Sequence, residues 1–246
     1  MLQPFLVALQ FLTQIPVRFN SELDDRLIGK SILCYPVIGI LIGLVLAVLS
    51  WILNSTPPLV ASVLLLICWV LVTGGLHLDG LADSADAWIG GTGGRERTLA
   101  IMKDPNCGPA GVIAIVLLLL LKFVTLYTLL MVDNWVILIL AAILGRTILP
   151  LLFLTTPYVR PSGLGSLLAA QMPQRSTIAM VTLTAVLIPL ALGINSLWIL
   201  TVIAGIFLIF RHLMLRRIGG MTGDTAGALV EITEASVLLV AVLFMA

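Results

Sequence analysis

The sequence predicts an all-α polytopic membrane protein, with about seven transmembrane helices plus an N-terminal interfacial or re-entrant helix. Three observations carry that expectation. Of the 246 residues, 60% are hydrophobic and only 10% are charged, and the mean hydropathy of +1.18 lies far outside the soluble globular range. Several apolar runs approach the ~20 residues that a helix needs to cross a bilayer. The basic residues fall on alternate connections, as the positive-inside rule requires. A soluble chain of this length could not bury so many such runs.

The first 17 residues, MLQPFLVALQFLTQIPV, are apolar but short, and Gln3, Gln10 and Gln14 interrupt them. That pattern fits an interfacial or re-entrant helix better than an eighth crossing. The stretch lacks the basic start and small-residue cleavage site of a signal peptide, so it is expected to stay on the chain. Spans follow at about 33–53, 59–76, 111–130, 135–154, 177–193, 197–210 and 229–245. Short connections with turn chemistry, NSTPP (54–58), VDN (132–134) and GINS (193–196), join three pairs of spans. Four longer charged segments, 18–30, 77–110, 155–176 and 211–228, hold 11 of the 13 basic residues, and the short connections hold none. The long segments should therefore face the cytoplasm, with Ala246 on the opposite side. The other two basic residues, Lys122 and Arg146, lie inside spans. No internal repeat stands out. The chain reads as a single integral-membrane helical domain, 1–246, in the cell (inner) membrane with its active site on the cytoplasmic side.

A net charge of +1 with no basic tail excludes nucleic acid as a partner. Cys34, Cys68 and Cys107 are odd in number and far apart, which suggests neither a disulfide framework nor a zinc site. A homo-oligomer is compatible with the sequence.

The stretch TGGLHLDGLADSADAWIGG (73–91) breaks the apolar character of its surroundings. Asp79, Asp83 and Asp86 are spaced i, i+4, i+7, which puts them within about 60° of one another on a helical face. Carboxylates that close repel, and a hard divalent cation with oxygen ligands would compensate. Mg²⁺, or Mn²⁺, suits such donors better than zinc does. His77, just upstream, is a second candidate for catalysis. A second cluster lies in GGMTGDTAGALVEITEASVLLV (219–240), where Asp224, Glu231 and Glu234 are spaced i, i+7, i+10. Thr222 or Asp224 can cap the helix N-terminus. Glu231 and Glu234 begin an apolar span, where ionised side chains usually face a functional interior.

Two acidic helix faces meeting in one cytoplasmic cavity could hold one or two metal ions, with a free carboxylate taking a nucleophile's proton. This requires the helix at 77–88 to face the helix at 224–234. The expected metal ligands are Asp79, Asp83, Asp86, Asp224 and Glu231, and the expected catalytic groups are Asp86, Asp224 and His77. The glycine-rich segment GGTGGRERTLAIMKDPNCGPAG (90–111) offers backbone N–H groups to phosphate oxygens. Lys103, Asp104, Arg146, Glu234 and Thr222 are the candidates for substrate contact. An arginine as deep as Arg146 is a functional candidate by default. Lys122 sits nearer a span centre. Gly39 and Gly43 form a small-xxx-small pattern for close helix packing.

With GGLHLDGLADSAD (74–86), IMKD (101–104) and GGMTGDTAGALVEITE (219–234) in this order, the chain resembles the cobalamin synthase family, the adenosylcobinamide-GDP ribazoletransferases. FLTQIPV near the amino end and YPVIGILIG (35–43) extend the likeness over the whole length. Two stretches depart from the family pattern: Ala87 follows Asp86 where glycine is usual, and PNCG follows Asp104 in place of a serine-led turn. The resemblance implies a Mg²⁺-dependent membrane enzyme that joins adenosylcobinamide-GDP to α-ribazole or its 5′-phosphate. The products would be adenosylcobalamin, or its 5′-phosphate, and GMP. Composition and spacing alone reach only a metal-dependent phosphotransferase at a membrane face.

Two rivals use related features. A CDP-alcohol phosphotransferase of lipid synthesis also clusters aspartates on membrane helices, but its pattern places Arg after the alanine where this chain has Asp83 after Ala82. A secondary transporter would carry its charges near the midplane and often show inverted repeats. The absence of H-E-x-x-H excludes the common form of intramembrane metalloprotease.

Overall fold

The computed structural model describes residues 2–19 and 24–244; the placement expected for Ala246 lies outside the described residues. The chain order is α1 Leu2–Leu12, α2 Asp25–Ser31, α3 Tyr35–Ile52, α4 Pro58–Thr73, α5 Leu76–Gly90, α6 Arg95–Ile101, α7 Pro109–Met131, α8 Val136–Thr155, α9 Leu164–Gln171, α10 Gln174–Leu192, α11 Ser196–Ile218 and α12 Gly223–Phe244. Among the described residues no strand forms, and extended pairing is limited to an isolated bridge between Tyr158 and Met221.

Six segments are long and apolar enough to cross a membrane: Asp25–Ile52 (α2, a 3-10 turn and α3), α7, α8, α10, α11 and α12. The pair α4 and α5 passes only when taken together, and it is bent by 88°. We read α4 as the crossing part and α5, which carries His77, Asp79, Asp83 and Asp86, as lying outside it. The expected span 59–76 thus stops short, and two glycines are the cause. Gly74 and Gly75 have φ of 65° and 67°, and two consecutive left-handed residues cannot continue a right-handed helix. The chain before α2 braces this corner, with the Gln14 amide donating to the Val72 carbonyl at 2.8 Å. At 11 residues, α1 spans about 16 Å by its rise, well short of a ~30 Å hydrocarbon core. It buries Ala8 and Leu12 in the core beside Ile32 and Tyr35, consistent with the expected short N-terminal element.

The segment 211–228, expected as a long connection, is mostly helix. Only residues 219–222 separate α11 from α12. Arg216 and Arg217 lie in the last turn of α11, where they complement the helix dipole and can reach polar surroundings from an apolar helix. Gly219 then stops α11 in the left-handed region (φ 76°). Thr222 and Thr225 start α12 by exchanging hydrogen bonds of 2.9 and 3.2 Å between backbone N–H and side-chain oxygen.

The most enclosed helices are α8 and α12. From Thr225 to Val230 every residue of α12 is buried, and α5, α7, α8 and α11 surround it. The tightest crossing on the other side is α3 on α8. A Cβ on Gly39 would lie 2.6 Å from the Ala142 carbonyl oxygen and 2.7 Å from the Ile143 Cα, so the small-xxx-small pattern does mark a close approach. The outer faces of α3, α7 and α10 stay apolar at Val48, Trp51, Leu117 and Leu190, as a membrane location requires.

Candidate active site at the crossing of two acidic helices

α5 and α12 meet backbone to backbone. A Cβ on Gly80 would lie 2.7 Å from the Asp224 carbonyl oxygen, and one on Gly227 would lie 3.3 Å from the His77 Cα. The expected approach of the two motif helices is therefore present, and it brings Asp79 and Asp83 to Asp224. Partial burial pushes the Asp83 carboxyl up to about 6; the neighbouring carboxylates of Asp79, Asp224 and Asp86 add to this, and the Arg160 guanidinium opposes it. Asp79 is exposed and lines a cavity of about 310 Å³ together with Asp224, Arg160 and His77.

Asp86, on the same face of α5, has a different partner. Its carboxylate accepts from the backbone N–H of Gly108 at 2.7 Å and of Gly111 at 2.9 Å. These are donors at the N-terminus of α7 that no helical carbonyl can satisfy, so Asp86 caps that helix and joins α5 to it. The spacing suggested Asp86 as a catalytic group or metal ligand; here each of its oxygens also accepts an α7 amide, which fixes α5 against that helix.

Arg160 was legible in the sequence only as an orientation charge. The connection after α8 pairs with the connection before α12: the Val159 amide donates to the Met221 carbonyl at 2.9 Å, and the Met221 amide to the Pro157 carbonyl at 2.8 Å. That clip delivers Arg160 to Asp224, where its Nη2 forms an ion pair with Oδ2 and its Nη1 lies 3.4 Å from Oδ1. Nη2 also donates to the Met102 carbonyl at 3.4 Å. Thr222 braces the same carboxylate through its hydroxyl at 3.4 Å. Tyr158 precedes Arg160; burial raises its phenol's pKa, with Arg160 opposing and Asp224 adding. The one signal available beforehand was PYVRP (157–161), a charged residue between rigid prolines.

The other acidic residues of α12 turn inward. Lys122 Nζ donates at 2.6 Å to both Glu231 Oε2 and Glu234 Oε2, and Arg146 pairs with Glu234 Oε1. All four side chains are at most 5% exposed, and Lys122 stands 4.7 Å over the Trp69 ring. Two cations and two carboxylates make a neutral set, which answers the cost of ionised groups inside a membrane helix bundle. Glu231, expected on a metal, and Arg146 and Glu234, expected on substrate, are thus held by one another and by Lys122. This quartet is buried between α7, α8 and α12, away from the acidic face of α5. Lys103 and Asp104 are exposed beyond the end of α6. Hydrogen bonds from Asn106, one of them from its backbone amide at 3.0 Å, lower the pKa of Asp104. The three cysteines are unpaired.

Among the described residues, no three His, Cys, Asp or Glu side chains converge on one metal-sized point. The donors do fit a hard cation in kind. Asp79, Asp83 and Asp224 are all-oxygen ligands, Asp79 and Asp224 both raise the proton affinity of Asp83, and one arginine opposes three carboxylates.

The profile of a family described as cobalamin-5-phosphate synthase matches residues 4–242. A Pseudomonas paraeruginosa protein named adenosylcobinamide-GDP ribazoletransferase is 53% identical over 238 residues, covering 97% of both chains. Proteins of the same name from Pseudomonas aeruginosa and Pseudomonas fluorescens are 52% identical over 238 residues and 48% identical over 241 residues. They cover 97% of both chains in the first case, and 98% of this chain and 99% of the relative in the second. No solved structure matches.

Proposed function

The chain belongs to the cobalamin-5-phosphate synthase family, and we propose that it joins adenosylcobinamide-GDP to α-ribazole or its 5′-phosphate, releasing GMP. The observation that supports this reading is the contact of α5 with α12, which sets Asp79 and Asp224 on one cavity with Arg160, and Asp83 within reach of both carboxylates. A ribazole hydroxyl oxygen bonds to the phosphorus that carries the cobinamide, and the bond from that phosphorus to the oxygen of GMP breaks. Mg²⁺ or Mn²⁺ on Asp79, Asp83 and Asp224 would supply charge neutralisation for the diphosphate. A carboxylate of this set left free accepts the hydroxyl proton. Arg160 orients Asp224 and presents a guanidinium suited to phosphate oxygens. Asp86 holds α5 against α7 so that the acidic face keeps its direction.

The direct assay uses purified, detergent-solubilised protein with adenosylcobinamide-GDP, α-ribazole and Mg²⁺. GMP and the cobalamin should appear together, stop with excess EDTA and return with Mg²⁺ or Mn²⁺. Full turnover in EDTA would remove the metal from the reading, and no GMP in any condition would remove the reaction.

The inner membrane is the proposed location, with α5 and α6 on the cytoplasmic side, on the strength of the basic residues in 77–110 and 211–228. After replacement of Cys34, Cys68 and Cys107, a Thr92→Cys probe in intact cells should resist an impermeant thiol reagent added outside. Rapid labelling there would reverse the orientation.

A further inference from the structure

The cavity at the α5–α12 crossing has two kinds of lining. Asp79, Arg160 and Asp224 are polar. Phe11, Tyr35, Leu149 and Phe153 supply apolar walls, and the aromatic rings are arranged as pairs. Phe153 and Tyr158 stack with centroids 6.0 Å apart and planes 14° apart, and Phe11 and Tyr35 lie 6.3 Å apart at 30°. Flat apolar walls of this kind accept a planar fused ring. His77 also lines the cavity; it is only 4% exposed, and its Nδ1 has no hydrogen-bond partner among the described residues. A buried polar atom left so is costly unless a ligand completes it.

Resting on the transfer reading above, we propose that this cavity seats the nucleoside acceptor. Its apolar fused-ring base lies among Phe11, Tyr35 and Phe153, and His77 Nδ1 meets the unshared ring nitrogen. Size points the same way. A volume of about 310 Å³ is at the small end of the ~300–1,000 Å³ typical of ligand pockets. It suits a nucleoside and is far too small for a corrin macrocycle with its amide arms. With the base against the apolar walls, the ribose hydroxyl meets Asp79 and Asp224 in the same cavity. The corrinoid diphosphate then approaches from outside the cavity, on the exposed side of Asp79. Acceptor and donor thus occupy separate regions, with the carboxylates between them.

The test measures α-ribazole binding to the full-length, detergent-solubilised protein by equilibrium dialysis, with the transfer assay run in parallel. Leu149→Trp fills space beside the apolar walls, and Phe153→Leu removes the stack without adding bulk, which keeps the test open if the first variant does not fold. Nucleoside affinity should fall by about tenfold or more in each, while the KM for adenosylcobinamide-GDP stays near wild type. Benzimidazole should displace the nucleoside, and ribose should not. Unchanged nucleoside binding in the folded variants, or a rise confined to the KM for adenosylcobinamide-GDP, overturns the assignment. Nucleoside binding that is lost in the variants, in a protein that releases no GMP, supports the pocket and overturns the transfer reading instead.

Discussion

Asp83→Asn is expected to lower turnover by about 10²–10³-fold, the scale on which loss of one preorganised charge-stabilising group is felt, with the melting temperature near wild type. The exchange keeps the volume of a half-buried side chain and removes one charge from a crowded acidic group, so the fold should lose little. What is lost is the anionic donor facing Asp79 and Asp224. Asp86→Asn is the informative contrast. Its oxygens serve the Gly108 and Gly111 amides, and an amide side chain keeps one acceptor where two worked, so this variant should show up mainly as destabilisation of about 1 kcal/mol. Turnover of Asp83→Asn within about threefold of wild type would take Asp83 out of the chemistry.

Glu234→Ala is expected to destabilise the protein by about 3–5 kcal/mol, the usual cost of breaking a buried ion pair from one side. Glu234 accepts from both Lys122 and Arg146, and it is 1% exposed. Its removal leaves two cations against Glu231 alone, and it empties the space against Gly145, where a Cβ would sit 2.8 Å from the Glu234 Cγ. For a chain of this size that loss corresponds to a fall in Tm of roughly 6–20 °C, read by thermal unfolding in detergent. A Tm equal to wild type would show that the quartet contributes nothing to stability.

The spans and the acidic face of α5 were legible because they depend on local periodicity: apolar length and the i, i+4, i+7 spacing of Asp79, Asp83 and Asp86. Their partners were not. Asp86 engages amides 22 and 25 residues on, and Lys122 finds its carboxylates 109 and 112 residues on, distances over which no pattern in one sequence reports. Glu231 and Glu234 share the helical phase of Asp224, so spacing grouped them with it. Depth along α12 separates them, because the first turn meets the cavity and the next two meet α7 and α8. Arg160 escaped notice because a lone arginine in a polar connection looks solvated until the Val159–Met221 pairing fixes it. The turn at Gly74 and Gly75 was visible as composition, but not as a right-angled break.

The buried quartet also bears on how the chain enters the membrane. Helices leave the ribosome in order, and α7 with Lys122 and α8 with Arg146 emerge well before α12 brings Glu231 and Glu234. At synthesis rates of about 5–20 residues per second, a gap of 109 residues leaves Lys122 without those carboxylates for on the order of ten seconds. A lone cation at a helix centre costs about 2.5–3.5 kcal/mol to insert, which the strongly apolar flanks of α7 and α8 can outweigh. The last helix therefore discharges a debt carried by two earlier ones, and a nascent chain cut before α12 would keep two unanswered positive charges in the bilayer, a mark by which quality control could tell the unfinished protein from the finished one.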